Sequence, residues 1–140
     1  MDISNNAKKA RPSSTLSISS NANRMIDEGI DIVNFSAGEP DFNTPDYIKE
    51  AAIEAINDNF TKYTPYEGIV ELRQAVADDL KKNCDLDYTP EQIVISNGSK
   101  HAITNAFMAI LNPEDEVIVP APYWNSYIDI IELCYGVPVL

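Results

Sequence analysis

The 140-residue chain is 44% hydrophobic, which is enough apolar material to build one ordinary core. Its formal charge of −12, with ten scattered Lys and Arg, excludes a nucleic-acid surface, because phosphate neutralisation needs a basic stripe; small molecules or other proteins are the expected partners. Cys84 and Cys134 form no CxxC pair and His101 is the sole histidine, so no cysteine-rich metal site is expected and both thiols are read as reduced, as in a cytoplasmic protein.

Along the chain, the N-terminal MDISNNAKKARPSS has no apolar h-region, and no run is long enough to span a bilayer. Lys8, Lys9 and Arg11 leave an organelle-peptide reading open. Residues 13–28 are predicted helical, with Gly29 as a left-handed stop, and IDIVNF reads as a short strand leading into SAGEPDFNTP. Thr44 is expected to cap a helix with Pro45 at its first position and an apolar face of Ile48, Ala51, Ala52, Ala55 and Ile56. After the polar loop NFTKYTPYEG, Leu72, Ala75, Val76 and Leu80 repeat at helical spacing. Thr89 before Pro90 signals a short turn ahead of an IVIS strand. Ala102, Ile103, Ala106, Phe107 and Ile110 mark the next helix, closed by Asn112 and Pro113. EVIVP is a second strand, APYWNSYIDIIEL a helix after a Pro-rich corner, and GVPVL the start of a third strand. Strand–helix alternation at these spacings is the pattern of a parallel α/β sheet covered by helices. Two such units and the start of a third do not close a doubly wound sheet, so the chain is expected to be the first part of a longer protein.

Four segments carry possible chemistry. The turn in ISNGSKHAITNAF passes from a β-branched run to a helix through Gly98 and Lys100, and N–H groups at a helix start form an anion site. The Walker pattern is absent, since His101 follows the lysine, and an ordinary strand-to-helix turn stays open. SAGEPDF reads either as a surface turn or as a loop whose Ala37 and Gly38 bring backbone N–H groups to a carboxylate. The tyrosines of TKYTPYEG are packing residues or ligand contacts. Trp124 in APYW stands just past the carboxyl end of a predicted strand, the edge where open α/β sheets bind ligands, although a lone Trp also suits a core or interface. His101 is read as structural rather than as a proton shuttle.

Taken in register, SAGEPDFNTP, KYTPYEGIVELRQAV, ISNGSKHAI and DEVIVPAPYWNSY resemble the N-terminal third of a class I aminotransferase of the pyridoxal-phosphate fold-type I superfamily. The bacterial-type aspartate aminotransferase branch is the nearest match, from about Ser13 onward. The resemblance implies an α/β fold, with residues 1–45 as an N-terminal arm and the start of the small-domain region. Residues 46–140 would begin the large cofactor-binding domain. It implies pyridoxal 5'-phosphate as cofactor, an amino acid and a 2-oxo acid as substrates, a cytoplasmic homodimer, and no nucleic acid, membrane or metal. It assigns the cofactor phosphate to Gly98, Ser99 and Lys100, the ring to Trp124, and a cross-subunit phosphate contact to Tyr63. The substrate carboxylate falls to Gly38 and to Trp124 beside it.

The same resemblance places the lysine that holds the cofactor covalently far downstream. The acid facing the ring nitrogen, the groups holding the ring hydroxyl and the α-carboxylate arginine lie there too. Lys100 is read as a phosphate contact and not as that lysine, so no catalytic residue is assigned in these 140 and the chain alone is expected to be inactive. The whole protein is expected to exchange an amino group between aspartate and 2-oxoglutarate. Another transaminase or C–S lyase of the same fold, and a truncated non-catalytic paralogue acting as an interaction module, are the alternatives.

Overall fold

The computed structural model describes residues 2–9, 14–36 and 38–140, with the backbone alone for Lys9, Ser14 and Thr15. Arg11, Ser13 and Ala37, each used in the sequence reading, lie outside the described residues. The chain divides into two compact units, one of residues 1–9 and 62–140 and one of residues 10–61.

The smaller unit contains α2, Ser14–Asp27, and α3, Asp46–Asn57. Gly29 ends α2 as expected: its φ of +77 suits a residue without a Cβ, and its N–H donates to the Ile26 carbonyl at 2.9 Å. The predicted strand IDIVNF is not a strand; residues 30–35 run without a ladder, and Val33 and Phe35 are exposed. A β-branched run favours extended backbone, but only a paired neighbour makes it a strand. The segment instead closes locally. Ser36 donates its N–H to Asn34 Oδ1 at 2.9 Å, and the Ser36 and Ser19 hydroxyls meet at 2.9 Å. At α3, Pro45 stands one position earlier than expected, as the cap residue in place of Thr44, and the helix has no side-chain cap bond. The Pro45 carbonyl accepts the first helical N–H groups, from Ile48 and Lys49.

The larger unit runs α1 (Asn5–Lys9), α4 (Val70–Cys84), a 3-10 turn (Pro90–Gln92), α5 (Gly98–Ile110), β1 (Glu116–Ile118), α6 (Ser126–Leu133) and β2 (Val137–Val139). β1 and β2 pair in parallel, Glu116 opposite Val137 and Ile118 opposite Val139, with α6 as the crossover. Asp115 and Val119 extend the ladder at both ends through 2.8 Å backbone bonds. Ile131 is fully buried, and Val119, Ile130 and Cys134 are buried with it. This is one of the predicted βαβ units. The IVIS run is extended at Ile93 (φ −116, ψ 130), yet it joins no sheet; the Ile95 N–H bonds the Glu67 carbonyl instead, at 2.9 Å.

Two helix faces differ from their predicted ones. On α4 the covered stripe is buried Ala77 with half-buried Arg73, Val76 and Leu80, while Leu72 and Ala75 are exposed. On α5 the stripe through Ile103 and Phe107 is only half covered, and Ile110 is exposed. α4 ends on Asp85 in the left-handed conformation, where Lys81 bridges Asp85 at 2.8 Å and Asp87 at 2.9 Å. Those two carboxylates raise the Lys81 ammonium above its ordinary value.

Candidate functional site

The turn into α5 is built from Ser96, Asn97 and Gly98. Gly98 has φ +80, a left-handed angle that costs other residues roughly 1–2 kcal/mol, and its N–H folds back on the Ser96 carbonyl at 2.8 Å. His101 takes a structural role here: its Nδ1 accepts the Asn97 N–H at 3.0 Å, so the proton of the neutral ring stands on Nε2. The first helical N–H groups beyond this point have no intrahelical acceptor, and no acidic side chain occupies the first turn to offset their positive end. Ser99 and Lys100 stand in that turn. Thr104 Oγ1 donates to the Lys100 carbonyl at 2.7 Å, in the same stretch of helix.

Trp124 follows the carboxyl end of β1 after a corner that includes a cis Ala121–Pro122 bond. Trp124 is 40% exposed, and its ring packs edge-to-face on Tyr127, centroids 5.5 Å apart. Lys100 Nζ stands 5.2 Å from the Trp124 ring centroid, within cation–π range. Two residues 24 positions apart in sequence, each singled out separately, are thus in contact. Together they make a cationic, N–H-rich helix start beside an accessible aromatic face.

Tyr63 lines an open cleft of about 420 Å³ together with Ser96, Asn97 and His101 of the α5 turn. Its side chain is fully exposed. The loop carrying it is closed by a Gly68 N–H to Pro65 carbonyl bond of 3.0 Å and seated against Ile95. A Cβ on Gly68, whose φ is +101, would come within 2.5 Å of Ile95 Cγ1. Arg73 secures the same loop, with its Nε donating to the Gly68 carbonyl at 3.1 Å and Nη1 to the Pro90 carbonyl at 2.9 Å. Neither Gly68 nor Arg73 emerged from the sequence as a site-building residue. For Arg73 the signal was present in its helical register with Val76, Ala77 and Leu80, hidden by its charge. Gly38 belongs to the other unit, and nothing lies within 4 Å of where its Cβ would stand. No cluster of metal-binding side chains occurs among the described residues, and none of their helices is long and apolar enough to cross a membrane.

The family description "Aminotransferase class I and II" matches residues 30–140. A Rhizobium leguminosarum bv. phaseoli protein named "Probable aspartate/prephenate aminotransferase" is 51% identical over 128 residues, covering 91% of this chain and 32% of that protein. The "Aspartate aminotransferase" of Bacillus subtilis (strain 168) is 42% identical over 139 residues, 99% of this chain and 35% of that one. Among solved structures, the aspartate aminotransferase of Thermus thermophilus with maleate matches 99% of this chain and 36% of its own, with TM-score 0.94 and 42% identity. The chain spans about a third of the length of the curated relatives it matches. Its fold is that of the corresponding part of a fold-type I aminotransferase, and the chain belongs to the class I and II aminotransferase family.

Proposed function

We propose that these 140 residues are the N-terminal portion of a pyridoxal-phosphate-dependent transaminase that moves an amino group between aspartate and 2-oxoglutarate. The observation that carries the reading is the contact between Lys100 and Trp124 at the start of α5. A phosphorylated aromatic cofactor needs anion donors and a flat apolar surface side by side, and this corner supplies both. The residues present fit the group. First-turn N–H groups, the Ser99 hydroxyl and the Lys100 ammonium would take the phosphate, Gly98 giving the turn its close approach. Trp124 would cover one ring face, orient it, keep water from it and help hold the substrate carboxylate. Tyr63, fully exposed on its loop, would donate its hydroxyl to the phosphate bound by a second subunit of a homodimer; a cytoplasmic location belongs to the same proposal. The Gly38 backbone N–H would receive the substrate carboxylate.

When bound, the cofactor supplies an electron sink that lets the amino acid's Cα release its proton. The residues assigned here bind and orient; the family's covalent lysine and its ring-nitrogen acid are not among them, so the chain alone does not transaminate. The division into an arm and small-domain start, 1–45, and a first part of the large domain, 46–140, belongs to the same proposal.

Aspartate is favoured as donor by the relatives' names and by the maleate of the Thermus thermophilus structure, a dicarboxylate of aspartate's length. The name of the Rhizobium relative supports prephenate as a second acceptor. The test is a donor and acceptor screen on the full-length protein. Aspartate with 2-oxoglutarate should yield oxaloacetate, with prephenate tested in parallel. Pyruvate release from sulfur amino acids without transfer to any 2-oxo acid would replace the reading with a C–S lyase.

A further inference from the structure

We propose that Arg73 is a positioning residue for the cofactor: its planar fork locks the Tyr63 loop to the segment that leads into α5. The inference rests on the assignment of Tyr63 to the cofactor phosphate made above. Arg73 sits in the first turn of α4 with only 11% of its side chain exposed. One guanidinium joins two chain segments 22 residues apart, donating Nε to the Gly68 carbonyl at 3.1 Å and Nη1 to the Pro90 carbonyl at 2.9 Å. Nη2 faces Glu67 Oε1 at 3.8 Å. Glu67 and Gly68 are in turn fixed to the strand-like run before α5: the Glu67 carbonyl accepts the Ile95 N–H at 2.9 Å, and Gly68 leaves no space for a Cβ against Ile95.

Tyr63 is separated from this locked turn by Thr64 alone, since the turn closes between Pro65 and Gly68. Its own side chain is fully exposed and makes no packing of its own to fix the loop. The path of the Tyr63 loop on its own subunit, from which the side chain reaches out, is therefore set at Gly68, and Arg73 holds Gly68. Two donors at fixed angles do this; a lysine, with one compact ammonium, cannot span both carbonyls in the same way.

The test uses the full-length protein stripped of cofactor and titrated with pyridoxal phosphate, followed by visible absorption, for Arg73→Met, Arg73→Lys, Tyr63→Phe and the Arg73→Lys/Tyr63→Phe pair. Arg73→Lys should weaken binding about tenfold, in line with the loss of a charge-assisted hydrogen bond. The pair should bind no more weakly than the poorer single variant, because both changes remove the same contact. Hydrogen exchange in Arg73→Lys should speed up at residues 62–68 and stay unchanged at 126–133. Should Arg73→Met fail to fold, Arg73→Lys carries the test. Unchanged affinity in Arg73→Lys beside a weakened Tyr63→Phe would overturn the role of Arg73 alone, as would losses that multiply in the pair or exchange that rises throughout the chain. Unchanged affinity in Tyr63→Phe would instead overturn the assignment of Tyr63 itself.

Discussion

Gly68 is fixed both by backbone angle and by space. Any Cβ there adopts an unfavourable φ and overlaps Ile95, so Gly68→Ala should destabilise the full-length protein by about 2–4 kcal/mol, read as a lowered urea midpoint. Gly98 has the same kind of angle but open space around it, so its substitution meets strain alone. The two cysteines separate by environment. Burial pushes the Cys134 thiol above its ordinary value, and its Sγ lies 3.8 Å from the Thr104 carbonyl, whereas Cys84 is exposed. A raised value in the fold means that Cys134's contribution to stability is present below its unfolded value and is lost as pH rises through the folded one. A thiol reagent at neutral pH should therefore titrate Cys84 promptly and Cys134 only on unfolding; equal rates at both would contradict this environment. Residue identity was readable in the sequence where it meant a local turn, as at Gly29 and Gly98. It was not readable where it meant a fit to a distant partner: nothing near Gly68 in sequence announces Ile95, and nothing near His101 shows its ring accepting the Asn97 N–H.

Helices were legible because their period and breakers are local. α3, α4 and α5 fall close to where Pro45, Leu72 to Leu80, and Asn112 with Pro113 put them. Strands were legible only where a parallel neighbour exists within the chain. EVI and VPV pair across α6, whereas IDIVNF and IVIS, equally β-branched, find no ladder. The α4 face was misread by one helical step because an arginine and an alanine carry less apolar signal than Leu72, although their stripe is the covered one. Ile131, on α6, is fully buried, and Ile131→Ala should cost about 2–5 kcal/mol, with Ile131→Val costing less. Similar urea midpoints for the two variants would mean that the unit is not packed as described.

At the scale of the molecule, the buried apolar residues among those described are Ala77, Ile93, Val119, Ile130, Ile131 and Cys134. Against these stand exposed Met108 and Ile110 on α5, Ile118 on β1, and an apolar recess of about 240 Å³ lined by Phe107, Val117 and Tyr127. Uncovered sheet and helix faces of this kind associate, so residues 1–140 expressed alone should aggregate or melt broadly and bind a hydrophobic dye. A sharp, cooperative transition of a 1–140 monomer would count against that. The α5 turn and Trp124 are proposed to form a seat for pyridoxal phosphate. The most direct test is the affinity of the full-length apo-protein for pyridoxal phosphate, measured for the unaltered protein, Trp124→Ala and Lys100→Met. Each variant is predicted to bind about tenfold more weakly, the loss expected for a ring contact or a charge-assisted bond. Unaltered affinity in both variants would mean that pyridoxal phosphate does not sit at this corner.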